Sequence, residues 1–118
     1  MKVLFILNHA PYGTEHCYNA LRLAHALGKG DDTEIAIFLM ADSVLFAKIG
    51  QKTPEGFYNI ELMLKRGFSR QGKGVFLLCG TCMEARGMTD ADLLHGSRRS
   101  TMDELAKLTA DAGKVMIW

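Results

Sequence analysis

Two cysteines, Cys79 and Cys82, carry the strongest chemical signal in this sequence. Cys79 ends an apolar run, Cys82 follows three residues later, and residues 83–86 are suited to the first turn of a helix. A cysteine at a helix N-terminus lies beside the positive end of the helix dipole, which favours the thiolate, the nucleophilic form of the side chain. We therefore predict that Cys79 and Cys82 are a reactive pair of thiols.

Three residues next to this pair are candidate binding residues. Gly80 lets the backbone turn between the thiols and lets a bulky sulfur donor approach them, and Thr81 lies beside it. Arg86 adds a positive charge within about one and a half helical turns. The alternative interpretation is that both cysteines only pack in the core, because free cysteine is among the most buried residue types.

Metal and nucleotide chemistry have little support. Structural zinc usually needs a full set of cysteine and histidine ligands, whereas the chain has a single Cys-x-x-Cys pair and histidines without metal-type spacing, so we predict no metal site. Neither a GxGxxG nor a Walker sequence is present, so we predict no nucleotide and no other cofactor. Cys17 lies on the apolar face of a predicted helix and is expected to pack.

Apolar runs without alternation predict the sheet that positions these residues. Such runs are typical of strands that are buried on both faces of a parallel sheet. They cover residues 3–7, 35–40, 75–79 and 115–118. A fifth, weaker strand is predicted around His95 to Arg99, where the residues are polar.

Between the strands, apolar residues recur at helical spacing. The pattern predicts amphipathic helices over residues 17–27, 60–67 and 101–112. Thr101 and Glu104 fit a capping box, and Thr14 and Asp42 are predicted N-caps. Strands that alternate with helices are joined by right-handed crossovers. We therefore predict an α/β protein, a three-layer α/β/α sandwich around a mostly parallel sheet of about five strands.

In such a sheet, ligands collect outside the carboxyl ends of the strands. The segments at those ends are residues 8–14, 41–43 and 79–87. From the first segment we take Asn8, His9 and Tyr12 as candidate binding residues, with His9 and Tyr12 lining a pocket beside Cys79. The alternative is that these two rings pack against the next helix.

Composition limits the class of protein. The 118 residues, 48% of them hydrophobic, suit one domain over residues 1–118 with its own core. With 14 basic and 13 acidic side chains, the formal net charge of +1 predicts no nucleic-acid partner. No apolar run approaches the ~20 residues that span a bilayer, and no signal peptide is evident, so no membrane partner is predicted. An odd number of cysteines favours a cytoplasmic location.

Four separated motifs resemble the DsrE/DsrF-like family over nearly the whole chain. They are Pro-Tyr-Gly-Thr-Glu at 11–15, Gly-Gln-Lys-Thr-Pro-Glu-Gly at 50–56, Cys-Gly-Thr-Cys-Met-Glu-Ala-Arg-Gly at 79–87, and Ser-Thr-Met-Asp-Glu-Leu at 100–105. The resemblance implies an α/β/α sandwich, assembly as a trimer or hexamer, and a cysteine that passes persulfide sulfur to a partner protein. In the family's sulfur carriers this cysteine lies eight positions before the glycine of an Arg-Gly pair, which makes it Cys79, eight before Gly87. Cys82 is then an additional thiol.

The resulting hypothesis is a small cytoplasmic sulfur-relay protein with persulfide sulfur on Cys79, Cys82 as an assisting or resolving thiol, and proteins as sulfur donor and acceptor. Whether this carrier is also a sulfurtransferase enzyme stays open. The alternative is a non-enzymatic oligomeric scaffold, or a small-ligand or redox-sensing module, with packing cysteines. A thioredoxin-like reductase is disfavoured, because the motif follows the third apolar run and Pro11 and Pro54 are the only prolines available to oppose it.

Two predictions concern the surface. Apolar side chains around a predicted exposed loop over residues 48–56 suit a contact between the subunits of a homo-oligomer. They are Phe46, Phe57 and Tyr58, and the equal alternative is that they are buried under this loop. Arg98 and Arg99 are expected to be solvated, as exposed basic pairs usually are.

Overall fold

Five short strands form one parallel sheet in the structure, a computed structural model that describes residues 1–67 and 74–118. The strands are β1 (Lys2–Leu7), β2 (Glu34–Leu39), β3 (Gly74–Cys79), β4 (Ser97–Ser100) and β5 (Lys114–Ile117). Their order across the sheet is β4-β3-β2-β1-β5, and every neighbouring pair is parallel. The carboxyl ends of all five strands therefore lie along one edge of the sheet.

Within the described residues, four α-helices and two short 3-10 helices connect the strands. The α-helices are α1 (His16–Leu27), α2 (Ile60–Gly67), α3 (Gly80–Ala85) and α4 (Met102–Asp111), and the 3-10 helices are Ala41–Ala47 and Asp90–Asp92. In β1, the successive residues Val3, Leu4 and Phe5 point to alternate faces of the sheet, and each is only 1% exposed. Both α1 and α4 contact this strand. Helices thus cover both faces, and the predicted three-layer sandwich is confirmed.

The predicted elements agree closely with the observed ones. All four apolar runs are strands, and α2 has the bounds that its spacing predicts. The weak fifth strand exists as β4, but it begins at Ser97, because His95 and Gly96 form a turn in which Gly96 has a φ of +90°. Glycine adopts this conformation without the steric cost that a side chain would add.

The two predicted N-caps are not the capping residues. The N-cap of α1 is Glu15, one residue after Thr14, although the Thr14 hydroxyl accepts a hydrogen bond of 3.1 Å from the His16 N–H. Asp42 lies inside the first 3-10 helix, whose N-cap is Met40. That helix begins at Ala41, so Asp42 is its second residue and is not its N-cap.

The N-terminus of α4 has one of the two hydrogen bonds of the predicted capping box. The Thr101 hydroxyl accepts a hydrogen bond from the Glu104 N–H at 3.2 Å. The Glu104 carboxylate turns away from the cap and accepts two hydrogen bonds from Arg98, both of 2.8 Å, and one from the Ser100 hydroxyl. These bonds join α4 to β4.

Three surface predictions need correction or confirmation. Phe46 is fully buried, because it lies in the 3-10 helix that packs on the sheet rather than in the loop, and its predicted exposure is wrong. Phe57 is 69% exposed, as predicted. Arg98 and Arg99 are not simply solvated, because Arg98 pairs with Glu104 and Arg99 contacts the carboxylates of Glu84 and Asp90 at 3.1 and 3.3 Å.

No helix within residues 1–67 and 74–118 combines the length and the apolar character needed to cross a membrane.

Candidate functional site

The edge formed by the carboxyl ends of β2 and β3 brings two chain segments together. β2 leads into Ala41 and β3 ends at Cys79, and these two strands are neighbours in the sheet. Across this edge the Ala41 N–H donates a hydrogen bond to the Sγ atom of Cys82 at 3.3 Å. The cysteine pair therefore lies against the segment that follows β2.

The helix after β3 starts earlier than the sequence predicts. We expected its first turn at residues 83–86, but α3 begins at Gly80, and Cys79 is both the last residue of β3 and the N-cap of α3. No linker separates strand from helix, so Cys82 lies in the first turn. This corner keeps Cys79 and Cys82 together although they belong to different elements.

The two thiols are neighbours that differ in exposure. Both are free, and the Cys82 side chain is close enough to affect the pKa of Cys79. Cys79 is 9% exposed, whereas Cys82 is half-buried. Solvent and reactants reach Cys82 more readily than Cys79.

Burial raises the pKa of the Cys79 thiol, and the hydrogen bond with the Cys82 side chain raises it further. The backbone N–H groups of Cys82 and Thr81 act in the opposite direction without cancelling this effect, and the charge of a Cys82 thiolate adds to the increase. The helix dipole predicts a lowered pKa, so the observed direction is opposite to that prediction. Desolvation of the buried Cys79 thiol outweighs the field of one short helical turn.

Arg86 contributes differently from the predicted free positive charge. Its Nη2 and Nε atoms donate hydrogen bonds of 2.8 and 3.1 Å to Oδ1 of Asp42. Its Nη1 atom donates to the backbone carbonyl of Cys82 at 3.1 Å. Arg86 is therefore paired with a carboxylate, and it links α3 to the 3-10 helix that follows β2.

Gly80 is required by the packing of β4. A Cβ atom at this position would lie 3.2 Å from Cγ of Arg99 and 3.3 Å from the carbonyl oxygen of Ser100. The second neighbour is backbone and cannot turn away. The close approach that glycine permits here is to the neighbouring strand, whereas the sequence suggested room for a sulfur donor.

The remaining predicted binding residues have their described contacts elsewhere. The Asn8 side chain donates to the Trp118 carbonyl at 3.3 Å, between β1 and β5. The His9 ring stacks on His16 with centroids 4.9 Å apart. The structure thus groups Cys79 and Cys82 with Gly80, Thr81 and Arg86, and it separates Asn8 and His9 from them.

Tyr12 faces α2. Its hydroxyl accepts a hydrogen bond from the Ile60 N–H at 3.0 Å, and its ring stacks on Tyr58 at 5.7 Å. Tyr12 borders a groove of about 510 Å³ together with the exposed Phe57, and neither Cys79 nor Cys82 lines this groove. These contacts are with α2 and with Tyr58, rather than with α1, the next helix along the chain.

Cys17 packs in the core as predicted. It is fully buried, its thiol donates to the His9 carbonyl at 3.5 Å, and burial raises its pKa. In the part of the chain that the structure describes, no group of three or more His, Cys, Asp or Glu side chains is placed to hold a metal ion.

Sequence reasoning missed the role of Ala41. Its segment lies at a strand end, which the fold identifies as a site position, but an alanine side chain carries no reactive group. Its contribution is a backbone N–H whose direction depends on a φ of +49°. No residue-type pattern signals that conformation, because alanine rarely adopts it.

Comparison with known proteins identifies the family. The sequence profile of the DsrE/DsrF-like family matches residues 1–118. The chain belongs to the DsrE/DsrF-like family. This family is related to sulfur-relay proteins.

Relatives of this DsrE/DsrF-like protein share most of its length. Protein YchN of Escherichia coli is 40% identical over 116 residues, which is 98% of this chain and 97% of that protein. An uncharacterized protein of Methanocaldococcus jannaschii is 37% identical over 117 residues, which is 98% of each chain.

Solved structures agree with the fold of this DsrE/DsrF-like chain. The crystal structure of YchN from E. coli superposes with a TM-score of 0.92 at 39% identity, covering 100% of this chain and 99% of that one. A protein of unknown function from Methanobacterium thermoautotrophicum has the same fold, with a TM-score of 0.75 at 12% identity over 99% and 98% of the two chains.

Proposed function

We propose that this chain is a sulfur-relay protein that carries persulfide sulfur on Cys79, with Cys82 as an assisting or resolving thiol. The observation that carries the proposal is the pair of free thiols, Cys79 and Cys82, at the corner between β3 and α3. Membership of a family related to sulfur-relay proteins supports it.

Persulfide chemistry needs an attacking thiolate and a stabilised leaving thiolate. On loading, a thiolate of the site attacks the outer sulfur of a donor persulfide, and the donor leaves as a thiolate. On delivery, the acceptor thiolate attacks the outer sulfur on Cys79, and Cys79 leaves as a thiolate. The backbone N–H groups of Thr81 and Cys82 act to lower the pKa of Cys79, which favours its departure as a thiolate and partly offsets the effect of burial.

Cys82 gives the carrier a second outcome. Its thiolate can attack the inner sulfur of a Cys79 persulfide, which releases hydrosulfide and leaves a Cys79–Cys82 disulfide. Bond formation and cleavage balance here without an external oxidant, because the persulfide sulfur is reduced as the two thiols are oxidised. Cys82 thereby limits the lifetime of the loaded state.

The proposed partners are proteins that donate and accept sulfur, and no nucleic acid or membrane, because the formal net charge is only +1. We place the protein in the cytoplasm, since its three cysteines are free thiols. We also propose a homo-oligomer, a trimer or hexamer. The 69% exposed Phe57 ring supports a subunit contact, and a monomer in light scattering at micromolar concentration would contradict it.

Intact-mass spectrometry after incubation with a small-molecule persulfide tests the carrier function. The wild-type protein is expected to gain about 32 Da, one sulfur atom, or to lose two hydrogens as the disulfide forms. Cys17→Ala is the matched control and should load like the wild type. If neither the wild type nor Cys82→Ala gains sulfur, and no disulfide appears, the protein is not a persulfide carrier.

A redox-sensing module is the second candidate, because two neighbouring free thiols are equally suited to form a disulfide. It predicts Cys79–Cys82 oxidation by peroxide without any sulfur uptake from a persulfide donor. If Cys79 and Cys82 react with alkylating reagents only after denaturation, both candidates fail and a scaffold with packing cysteines is correct.

A further inference from the structure

Ala41 has an unusual backbone conformation at the cysteine site. Among the described residues it is the one non-glycine residue with positive φ, +49°. The left-handed region is unfavourable for residues with a Cβ atom, so such a conformation persists where the surrounding structure enforces it. In this conformation the Ala41 N–H points to the Cys82 sulfur at 3.3 Å.

Contacts on both sides hold Ala41 in place. On one side, the buried Ser43 hydroxyl lies 2.6 Å from the carbonyl oxygens of Leu7 and Met40 and fastens the 3-10 helix to the end of β1. On the other side, Asp42 is bonded to Arg86 at 2.8 Å, which fixes the same helix to α3. The N–H of Ala41 is therefore preorganised toward Cys82 whether or not a ligand is bound.

We propose that Cys82 is the thiol at which sulfur enters the site, that Ala41 is its positioning residue, and that the sulfur then moves to the buried Cys79. This inference rests on the proposed carrier function and adds the order of the two thiols. Cys82 is the more exposed thiol and receives a hydrogen bond from outside the motif, whereas Cys79 is 9% exposed.

The transfer proceeds in two balanced steps. In the first, the Cys82 thiolate attacks the outer sulfur of a donor persulfide, the donor S–S bond breaks, and the donor leaves as a thiolate. In the second, the Cys79 sulfur attacks the outer sulfur now on Cys82, and the bond from that sulfur to Cys82 breaks. The Cys79 proton passes to the leaving Cys82 sulfur, and no net oxidation occurs.

Charged and titratable groups around Cys82 come from three elements. Cys79 lies at the end of β3, Arg86 at the end of α3, and Asp42 in the 3-10 helix. Arg86 and Asp42 pair with each other, and the Ala41 N–H donates the hydrogen bond of 3.3 Å to the Cys82 sulfur. What distinguishes the two thiols is exposure, because Cys82 is half-buried and Cys79 is 9% exposed.

Competitive alkylation tests the order directly and does not need persulfide chemistry. The wild-type protein is treated with less than one equivalent of iodoacetamide between pH 7 and 9, and peptide fragmentation assigns the label. We expect most of the label on Cys82, about tenfold more than on Cys79, which is the ratio that one hydrogen bond to a charged group supplies. Equal labelling, or more label on Cys79, overturns the proposal.

Sulfur loading separates this inference from the function on which it rests. With glutathione persulfide as the donor, Cys79→Ala should gain sulfur on Cys82 at close to the wild-type rate, and Cys82→Ala should load about tenfold more slowly. If the wild type loads and Cys82→Ala loads equally fast, only the entry role of Cys82 is wrong. If the wild type does not load, the carrier function is wrong, and alkylation still decides which thiol reacts first.

A pair of substitutions tests Ala41. Ala41→Gly keeps the N–H and tolerates positive φ, so the pH profile of Cys82 alkylation should match the wild type. Ala41→Val places a β-branched residue at positive φ and should shift that profile to higher pH, because the N–H is displaced. Retention of the wild-type profile in a folded Ala41→Val protein overturns the positioning role. If Ala41→Val does not fold, the Ala41→Gly protein still tests the idea. A shift in its pH profile of Cys82 alkylation relative to the wild type would overturn the positioning role.

Discussion

The left-handed Ala41 makes a quantitative prediction about stability. A Cβ atom in this region costs roughly 1–2 kcal/mol. Glycine at the same position removes that cost but adds about 0.4–1 kcal/mol of backbone entropy to the unfolded chain. The net effect of Ala41→Gly is therefore a gain of about 0.5–1 kcal/mol in the free energy of unfolding, or a Tm higher by about 2–6 °C for a chain of this size.

Urea unfolding followed by circular dichroism measures this difference. Protomer concentration must be equal in all samples, because an oligomer's stability depends on it. The matched control is Ala106→Gly, an exposed position inside α4, where glycine should cost about 1 kcal/mol. The two substitutions must therefore act in opposite directions. If Ala41→Gly destabilises the protein as much as Ala106→Gly does, Ala41 is not strained and the reasoning is wrong.

Three further predictions follow from charged and close contacts. The Arg98 and Ser100 hydrogen bonds lower the pKa of Glu104 to about 2. Glu104 therefore stabilises the fold above about pH 4.3, the ordinary pKa of glutamate, and this contribution is lost as the pH falls toward the folded value. Because the side chain is 34% exposed, solvent screening limits it to about 1 kcal/mol, and unfolding of Glu104→Gln should match the wild type only near pH 2. Gly80→Ala should lower the free energy of unfolding by about 1–3 kcal/mol, because its Cβ meets the Ser100 carbonyl at 3.3 Å; unchanged urea unfolding would contradict this. Asp42→Asn should weaken the ion pair with Arg86 that fixes the 3-10 helix to α3. Iodoacetamide labelling of the two cysteines should then be about two- to tenfold slower at low salt. Faster labelling would contradict this and would mean that the freed Arg86 guanidinium acts on the thiols directly.

Most of the fold follows from the sequence because its strands are buried on both faces. Runs such as 35–40 have no alternation, and a chain of this length has one way to bury them, under helices on each side. β4 is less visible, since it is an edge strand whose arginines pair with carboxylates rather than entering the core. The 3-10 helix at Ala41–Ala47 is not visible at all, because it is short and its burial of Phe46 depends on the sheet beneath it. A single domain over residues 1–118 stays a prediction.

The sequence predicts where the two cysteines lie in the fold, but not how their environments differ. Residue type and spacing place Cys79 and Cys82 at a strand end. The pKa of a thiol depends on its burial and on hydrogen-bond donors from segments that are distant in the sequence. A local sequence pattern contains neither. The helix-dipole argument predicts a lowered pKa for both cysteines, whereas burial raises the pKa of Cys79.

The difference between the thiols arises at two corners of the chain. At the first, Gly80 lets α3 start without a linker and pack on β4, which leaves Cys79 at the buried end of its strand. At the second, Ala41 turns its N–H toward Cys82 on the open side. A carrier benefits from this asymmetry, because an exposed thiolate reacts quickly with a donor while a buried persulfide is shielded from other reactants. In the proposed carrier, delivery would therefore need Cys79 to become accessible, either by motion of α3 or through an acceptor thiol that enters beside Cys82.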